Sequence, residues 1–145
     1  MDPQQIASAW EEVATRMSLA SAARQAWLDA LMEVGTGTRA HADDMIISVL
    51  DANARIRYLL LNGEYCVQKQ GDPELVKPAP ELIGEMAEVN PSGRRTASIR
   101  AVSDVDMISF SWEKMHSALK KRMSDEDYTK LLESLDQYAC NHFTE

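Results

Sequence analysis

Residues 82 to 101 read LIGEMAEVNPSGRRTASIRA, and the fold turns on how this stretch is understood. A Gly-Glu step at Gly84 and Glu85 leads into a Pro-Ser-Gly loop, two arginines, small residues and a β-branched one. Gly84 lets the backbone approach a ligand closely, and the following EMAEV suits a single helical turn whose free N–H groups point at an anion. Glu85, as a carboxylate, accepts from two hydroxyls or from one hydroxyl and a backbone donor. Arg95 offers a planar fork of donors matched to two phosphate oxygens. Thr96, Ala97 and Ser98 are small enough for their backbone N–H groups to reach the same phosphate. Anion plus hydroxyl is the chemistry of a sugar phosphate. For an arbitrary Gly-Glu and Arg pair the default is a salt bridge in a surface loop, so the surrounding sequence has to decide.

Upstream, IRYLLLNGEYCVQ (56 to 68) is two strand-like runs split by Asn62-Gly63, a strong short hairpin signal. MIISVL (45 to 50) is a short apolar run, and LDANAR after it is turn-like. KQGDPELVKPAPELIGE is punctuated by Gly71, Pro73, Pro78 and Pro80 and predicts loop with a short strand around Leu75 and Val76. Downstream, TASIRAVS and VDMISFS read as two further strands. Short strands at close spacing predict an all-β barrel or roll in the middle of the chain.

Helical patterns flank this roll. Ile6, Trp10, Val13 and Met17 recur at three- and four-residue steps, with Pro3 suited to a first turn. Ala23, Trp27, Leu31 and Val34 form a second stripe that meets the stop signals Gly35 and Gly37. The two tryptophans are expected in the core rather than on a partner surface. After the strands, Ser111 is a candidate N-cap, with Met115 and Leu119 on the buried side of its helix. Ser124 is another, followed by Asp125, Glu126 and Asp127 in a first turn that favours negative charge. Tyr128, Leu131, Leu132, Leu135, Tyr138, Ala139 and His142 share one face of this final helix.

The totals bound the rest. With 145 residues the chain suits one domain. Its 23 acidic against 15 basic residues give a net charge of -8, which disfavours phosphate polymers and acidic membranes as partners. Cys66 and Cys140 have no metal-ligand spacing and do not suggest a disulfide-stapled secreted scaffold. No export signal or membrane-spanning run is legible, so a cytoplasmic location is expected. His41, His116 and His142 are scattered, with no nucleophile-base pair near them.

In this ordered context the chain resembles the cyclic nucleotide-binding domain family, which includes the bacterial catabolite activator protein, kinase regulatory subunits and cyclic nucleotide-gated channels. Its phosphate-binding cassette runs Gly-Glu, a short helix, a variable loop, then Arg, two small residues and a strand; here it is GEMAEVNPSGRRTASIRA. The resemblance covers about residues 38 to 120. It implies an α+β fold: an antiparallel, jelly-roll-like β-roll with N-terminal and C-terminal helices packed on it. Residues 1–145 would form one domain, with N-terminal helices over 1–37, the roll over 38–111, the cassette at 82–101 and C-terminal helices over 112–145. It further implies that Glu85 takes the ribose 2′-hydroxyl, that Gly84 and Ala97 present backbone donors and that Arg95 holds the cyclic phosphate. Met86 would stand at the core or pocket wall, Ala87 in the cassette's helical turn, and Arg94 at the surface. Thr96 is similar to the threonine by which the channels favour cGMP. The chain departs from the family where it has Leu50-Asp51 and Ala79-Pro80-Glu81 in place of loop glycines, and no helix-turn-helix module is legible after the last helix.

The function so implied is a stand-alone sensor of cAMP or cGMP. It is not an enzyme, needs no cofactor or metal, and signals to a protein effector by moving its C-terminal helix. The alternative is a domain of the same fold that has lost ligand and serves as an interaction scaffold. A homodimer through the C-terminal helix, or that helix simply covering the roll, are the two uses of its apolar face. Neither nucleic acid nor membrane is expected as a partner, and a cyclic dinucleotide is a subordinate ligand.

Overall fold

The computed structural model describes residues 2–47, 56–69, 73–83 and 97–143, with backbone alone at 69, 97 and 139–143. Two helices open the chain, α1 (Pro3–Arg16) and α2 (Ser21–Val34). Among the described residues eight strands follow: β1 (Thr36–Ala40), β2 (Met45–Ile47), β3 (Ile56–Leu60), β4 (Glu64–Lys69), β5 (Leu75–Pro78), β6 (Glu81–Ile83), β7 (Ala97–Ala101) and β8 (Val105–Ser111). Helices α3 (Trp112–Lys120) and α4 (Asp125–Phe143) close it. The strands form two four-stranded antiparallel sheets, β1-β8-β3-β6 and β2-β7-β4-β5. This is the α+β roll with flanking helices that the sequence predicts.

Alternation along the strands explains the layering. In the first sheet Leu59, Leu82, Ile108 and Phe110 face the helices and share a core with Trp10, Trp27, Leu31, Met115, Leu119 and Leu131. The intervening Leu60, Ile83, Val105 and Met107 face the other way and meet Tyr65, Val67, Ile99 and Ala101 of the second sheet inside the roll. The tryptophans are core, as expected: their rings stack at 3.9 Å, and Trp27 meets Phe110 edge-on at 5.5 Å. Trp10 also donates its indole N–H to the Arg24 carbonyl at 2.9 Å.

Four local expectations need correction. The Asn62-Gly63 turn does not make a hairpin, because β3 pairs with β6 and β8 whereas β4 pairs with β5 and β7. The turn instead passes the chain from one sheet to the other. Asn62 donates to the Asp106 carboxylate at 2.9 Å and accepts from the Asp106 backbone at 3.0 Å, while the Glu64 N–H donates to Ser103 Oγ at 3.0 Å. Gly63 adopts φ +86°, where an added Cβ would collide with the Asp104 carbonyl. The roll also starts earlier than 38: Gly35 ends α2, and Thr36 and Gly37 already pair with Ser109 and Ile108. Residues 81–83, read as part of the punctuated loop, are a strand buried at all three positions. Ser111 occupies an N-cap position but makes no side-chain cap bond, whereas Ser124 does cap α4 by accepting from the Asp127 N–H at 3.2 Å.

Candidate functional site

The cassette residues are bracketed by the two sheets. β6, at the edge of the first sheet, ends at Ile83, which lies opposite Tyr58. β7, held between β2 and β4 of the second sheet, begins at Ala97, opposite Lys69. Residues 84–96 lie in sequence between a strand of one sheet and a strand of the other. Gly84, Glu85, Met86, Ala87, Arg95 and Thr96, like Arg94, lie outside the described residues; Ala97 is described as the first backbone position of β7. Ile99, two residues on, is 4% exposed and faces the roll interior, as expected for core or pocket wall.

Near Tyr58, which lies opposite Ile83, the roll is indented. A cleft of about 710 Å³ lies between β1, β2, β3 and β8, with Tyr58, Met107, Ser109, Ala40 and Ile46 in its walls. A volume of that order suits a small-molecule ligand, for which pockets run about 300–1,000 Å³. Its lining mixes hydroxyls, apolar side chains and the charged Arg39 and Asp44.

The charges around it are largely spoken for. Arg39 donates to Asp106 at 2.7 Å; that hydrogen bond holds the guanidinium above its ordinary pKa and the carboxylate below it. Arg100 on β7 pairs with Asp43 at 3.0 Å and Glu74 at 3.3 Å. Arg57 is 2% exposed and lies with its guanidinium 4.0 Å from the centre of the Trp112 ring, on the helical side of the sheet.

Three residues that sequence reasoning passed over form a buried polar centre next to the segment. Glu81, 2% exposed, holds the Tyr138 hydroxyl at 2.8 and 3.0 Å from its two carboxylate oxygens. Its Oε1 accepts from the Leu82 N–H at 3.0 Å, and Arg16 lies 3.4 Å from its Oε2 while donating to the Pro80 carbonyl at 3.0 Å. Burial, reinforced by the neighbouring carboxylate, pushes the Tyr138 phenol well above its ordinary pKa, so it stays a donor. The available signal was a glutamate opening the apolar run ELI.

The apolar face of α4 is in use. Tyr128, Leu131, Leu135 and Tyr138 are buried, the first three within the helical core, and Leu132 packs partly against it. His116 on α3 shares a hydrogen bond with the Tyr128 hydroxyl. Cys66 is buried, and burial pushes its thiol up, away from thiolate chemistry. Among the described residues no cluster of His, Cys, Asp or Glu could hold a metal ion, and no helix is long and apolar enough to cross a membrane.

No protein-family model and no curated protein matches the chain. Solved structures do. The sensor domain of the transcriptional regulator DNR from Pseudomonas aeruginosa superposes with a TM-score of 0.65 at 16% identity, over 94% of this chain and 92% of that one. The c-di-GMP responsive global regulator CLP from Xanthomonas campestris gives 0.61 at 16%, over 81% of this chain and 58% of its own. The regulatory domain of Toxoplasma gondii PKA, solved with cAMP, gives 0.61 at 19%, over 82% of this chain and 45% of its own. The chain thus spans about half the length of the last two. A structure described as the EAL enzyme Bd1971 also matches, with a TM-score of 0.56 at 19% identity, over 75% of this chain and 99% of that one. At these identities the likeness is one of architecture, and the chain has the fold of the cyclic nucleotide-binding domain family.

Proposed function

We propose that the chain is a regulatory sensor module for a cyclic mononucleotide, cAMP or cGMP. The observation that carries the reading is the bracketing of residues 84–96 by β6 of one sheet and β7 of the other, beside an open cleft. A ligand seated there would meet both sheets at once. Glu85 accepts from the ribose hydroxyl, Gly84 and Ala97 supply backbone donors, and Arg95 grips the cyclic phosphate. Met86 and Ala87 complete the wall, and Thr96 leans the base preference toward cGMP. The ion pairing of Arg39 and Arg100 supports giving the phosphate to Arg95.

The output element is α4. Its buried stripe of Tyr128, Leu131 and Leu135 is available to an effector protein, or to a second copy of the chain, only when the helix leaves its seat, so a ligand that favours the released helix would expose that surface. The reading includes no catalytic step. Calorimetry with cAMP and cGMP tests it, with c-di-GMP added because CLP is named as responsive to that dinucleotide. Binding of a mononucleotide is expected, with affinity lost by about 100-fold or more in Arg95→Ala, since a charged group paired with phosphate is being removed. Undiminished binding in that variant removes Arg95 from the site.

A further inference from the structure

We propose that the free edge of β1 is a docking site for an extended segment of another protein, one that alternates apolar with small polar residues and carries a basic residue at one end. This goes beyond the sensor reading and does not depend on it. Among the described residues β1 is bonded to β8 alone, so alternate backbone N–H and C=O groups along its five residues face away from the sheet. Thr36, Gly37, Thr38 and Arg39 are all exposed.

The other edges of the two sheets are blunted. β5 ends in Pro78, β6 follows Pro80 and is buried at all three positions, and β2 is three residues long with a shift in register. Proline, burial and irregular pairing each resist an added strand. β1 has none of these, and its one charged side chain, Arg39, is held by Asp106 at 2.7 Å. It is therefore the edge on which a further strand fits.

The cleft described above gives the side chains of such a strand a place to go. All five β1 residues border it, together with Met45 and Ile46 of β2, the edge of the second sheet. Thr36 and Thr38 lie opposite Ser109 and Met107, on the face turned to the roll interior. A strand added beside them sends every second side chain toward that same face, where Met45 and Ile56 line the cleft at 57% and 40% exposure. Apolar side chains suit those positions. At the Ala40 end stand Asp43, Asp44 and Asp104, the last accepting from the Ala42 N–H at 3.1 Å, while Arg100 is shared between Asp43 and Glu74. A basic residue there is complementary in charge. A second copy of the chain fits less well: its own β1 offers only Thr36, Thr38 and Ala40 to the cleft, and a net charge of -8 on each copy opposes pairing.

The test adds the end-blocked peptide Lys-Thr-Val-Thr-Val-Thr to the full chain and follows the backbone amides by NMR. Binding with a Kd at or below about 1 mM is expected, with shifts at residues 36–40. N-methylation of alternate peptide amides removes the donors on one side of the strand. Methylating one alternate set should abolish binding and methylating the other should leave it, because only one side faces β1. Thr38→Lys, a charge at an exposed edge position, should weaken binding about tenfold, and glutamate in place of the peptide lysine about threefold. If Thr38→Lys does not fold, the two methylated peptides decide alone. No binding, tolerance of both methylated sets, or shifts that avoid 36–40 overturns the proposal. A chain that is a dimer in solution and becomes a monomer in Thr38→Lys gives the edge to a second copy and also overturns it.

Discussion

The two sheets bury themselves differently. The first, β1-β8-β3-β6, has the helices on one face and the roll interior on the other, so the end of β3 and the residue after it carry the unbroken run Leu59, Leu60 and Leu61, all at most 6% exposed. The second, β2-β7-β4-β5, covers its outer face less fully, although Cys66 on that face is buried. Met45, Leu75 and Val76 stand in solvent at 57%, 56% and 53% exposure, and the outward Arg100 is held in ion pairs. Its strand β7 accordingly alternates, with Ile99 and Ala101 buried and Ser98 and Arg100 only partly so. The cassette has one foot in each sheet. Its β6 end is tied to the helices through Glu81, and its β7 end is anchored in the more open sheet.

The comparison breaks most visibly under truncation. Leu59→Ala, at a position 0% exposed and packed against the helical core, should cost about 2–5 kcal/mol in urea unfolding. Val76→Ala, on the solvent side of β5, should stay within about 0.5 kcal/mol. Equal losses would mean that the two sheets are equally buried, contrary to this account.

A smaller effect sharpens the junction where the chain crosses between the sheets. The hydrogen bond from Arg39, and then that from Asn62, hold the Asp106 carboxylate below its ordinary pKa. The folded value therefore lies below the unfolded one, near 4. The stabilisation is fully present above about pH 4 and is lost as pH falls through the folded value. Asp106→Asn should flatten the acid limb of a stability–pH profile measured by urea unfolding. An unaltered limb would show that other carboxylates govern it.

Legibility in the sequence follows the range of the interactions. The helices were readable because apolar spacing is a local property, and Ile6, Trp10 and Val13 are buried where their spacing placed them. The strands around Leu75 and Ile99 were readable for the same reason. Asn62-Gly63 was legible as a turn but not as a crossing. The partner of a strand is set by distant contacts, here Asn62 with Asp106 and Glu64 with Ser103. β6 was hidden by Pro78 and Pro80, which punctuate its approach, and because its pairing with β3 is long-range. The cassette reading rests on the chemistry and spacing of Glu85 and Arg95, which lie outside the described residues; the structure adds the strands on either side of it. Glu81, Tyr138 and Arg16 were not legible as a group. Glu81 reads as part of a departure from a family glycine and Tyr138 as part of an apolar stripe, while nothing local sets Arg16 apart.

The central claim is that residues 84–96 receive a cyclic nucleotide between the two sheets. Hydrogen–deuterium exchange of the full chain with saturating cAMP or cGMP tests it most directly. The account predicts slowed exchange in peptides covering 84–96, absent in Arg95→Ala. Protection elsewhere with none in that segment, or no protection from either nucleotide, would contradict it.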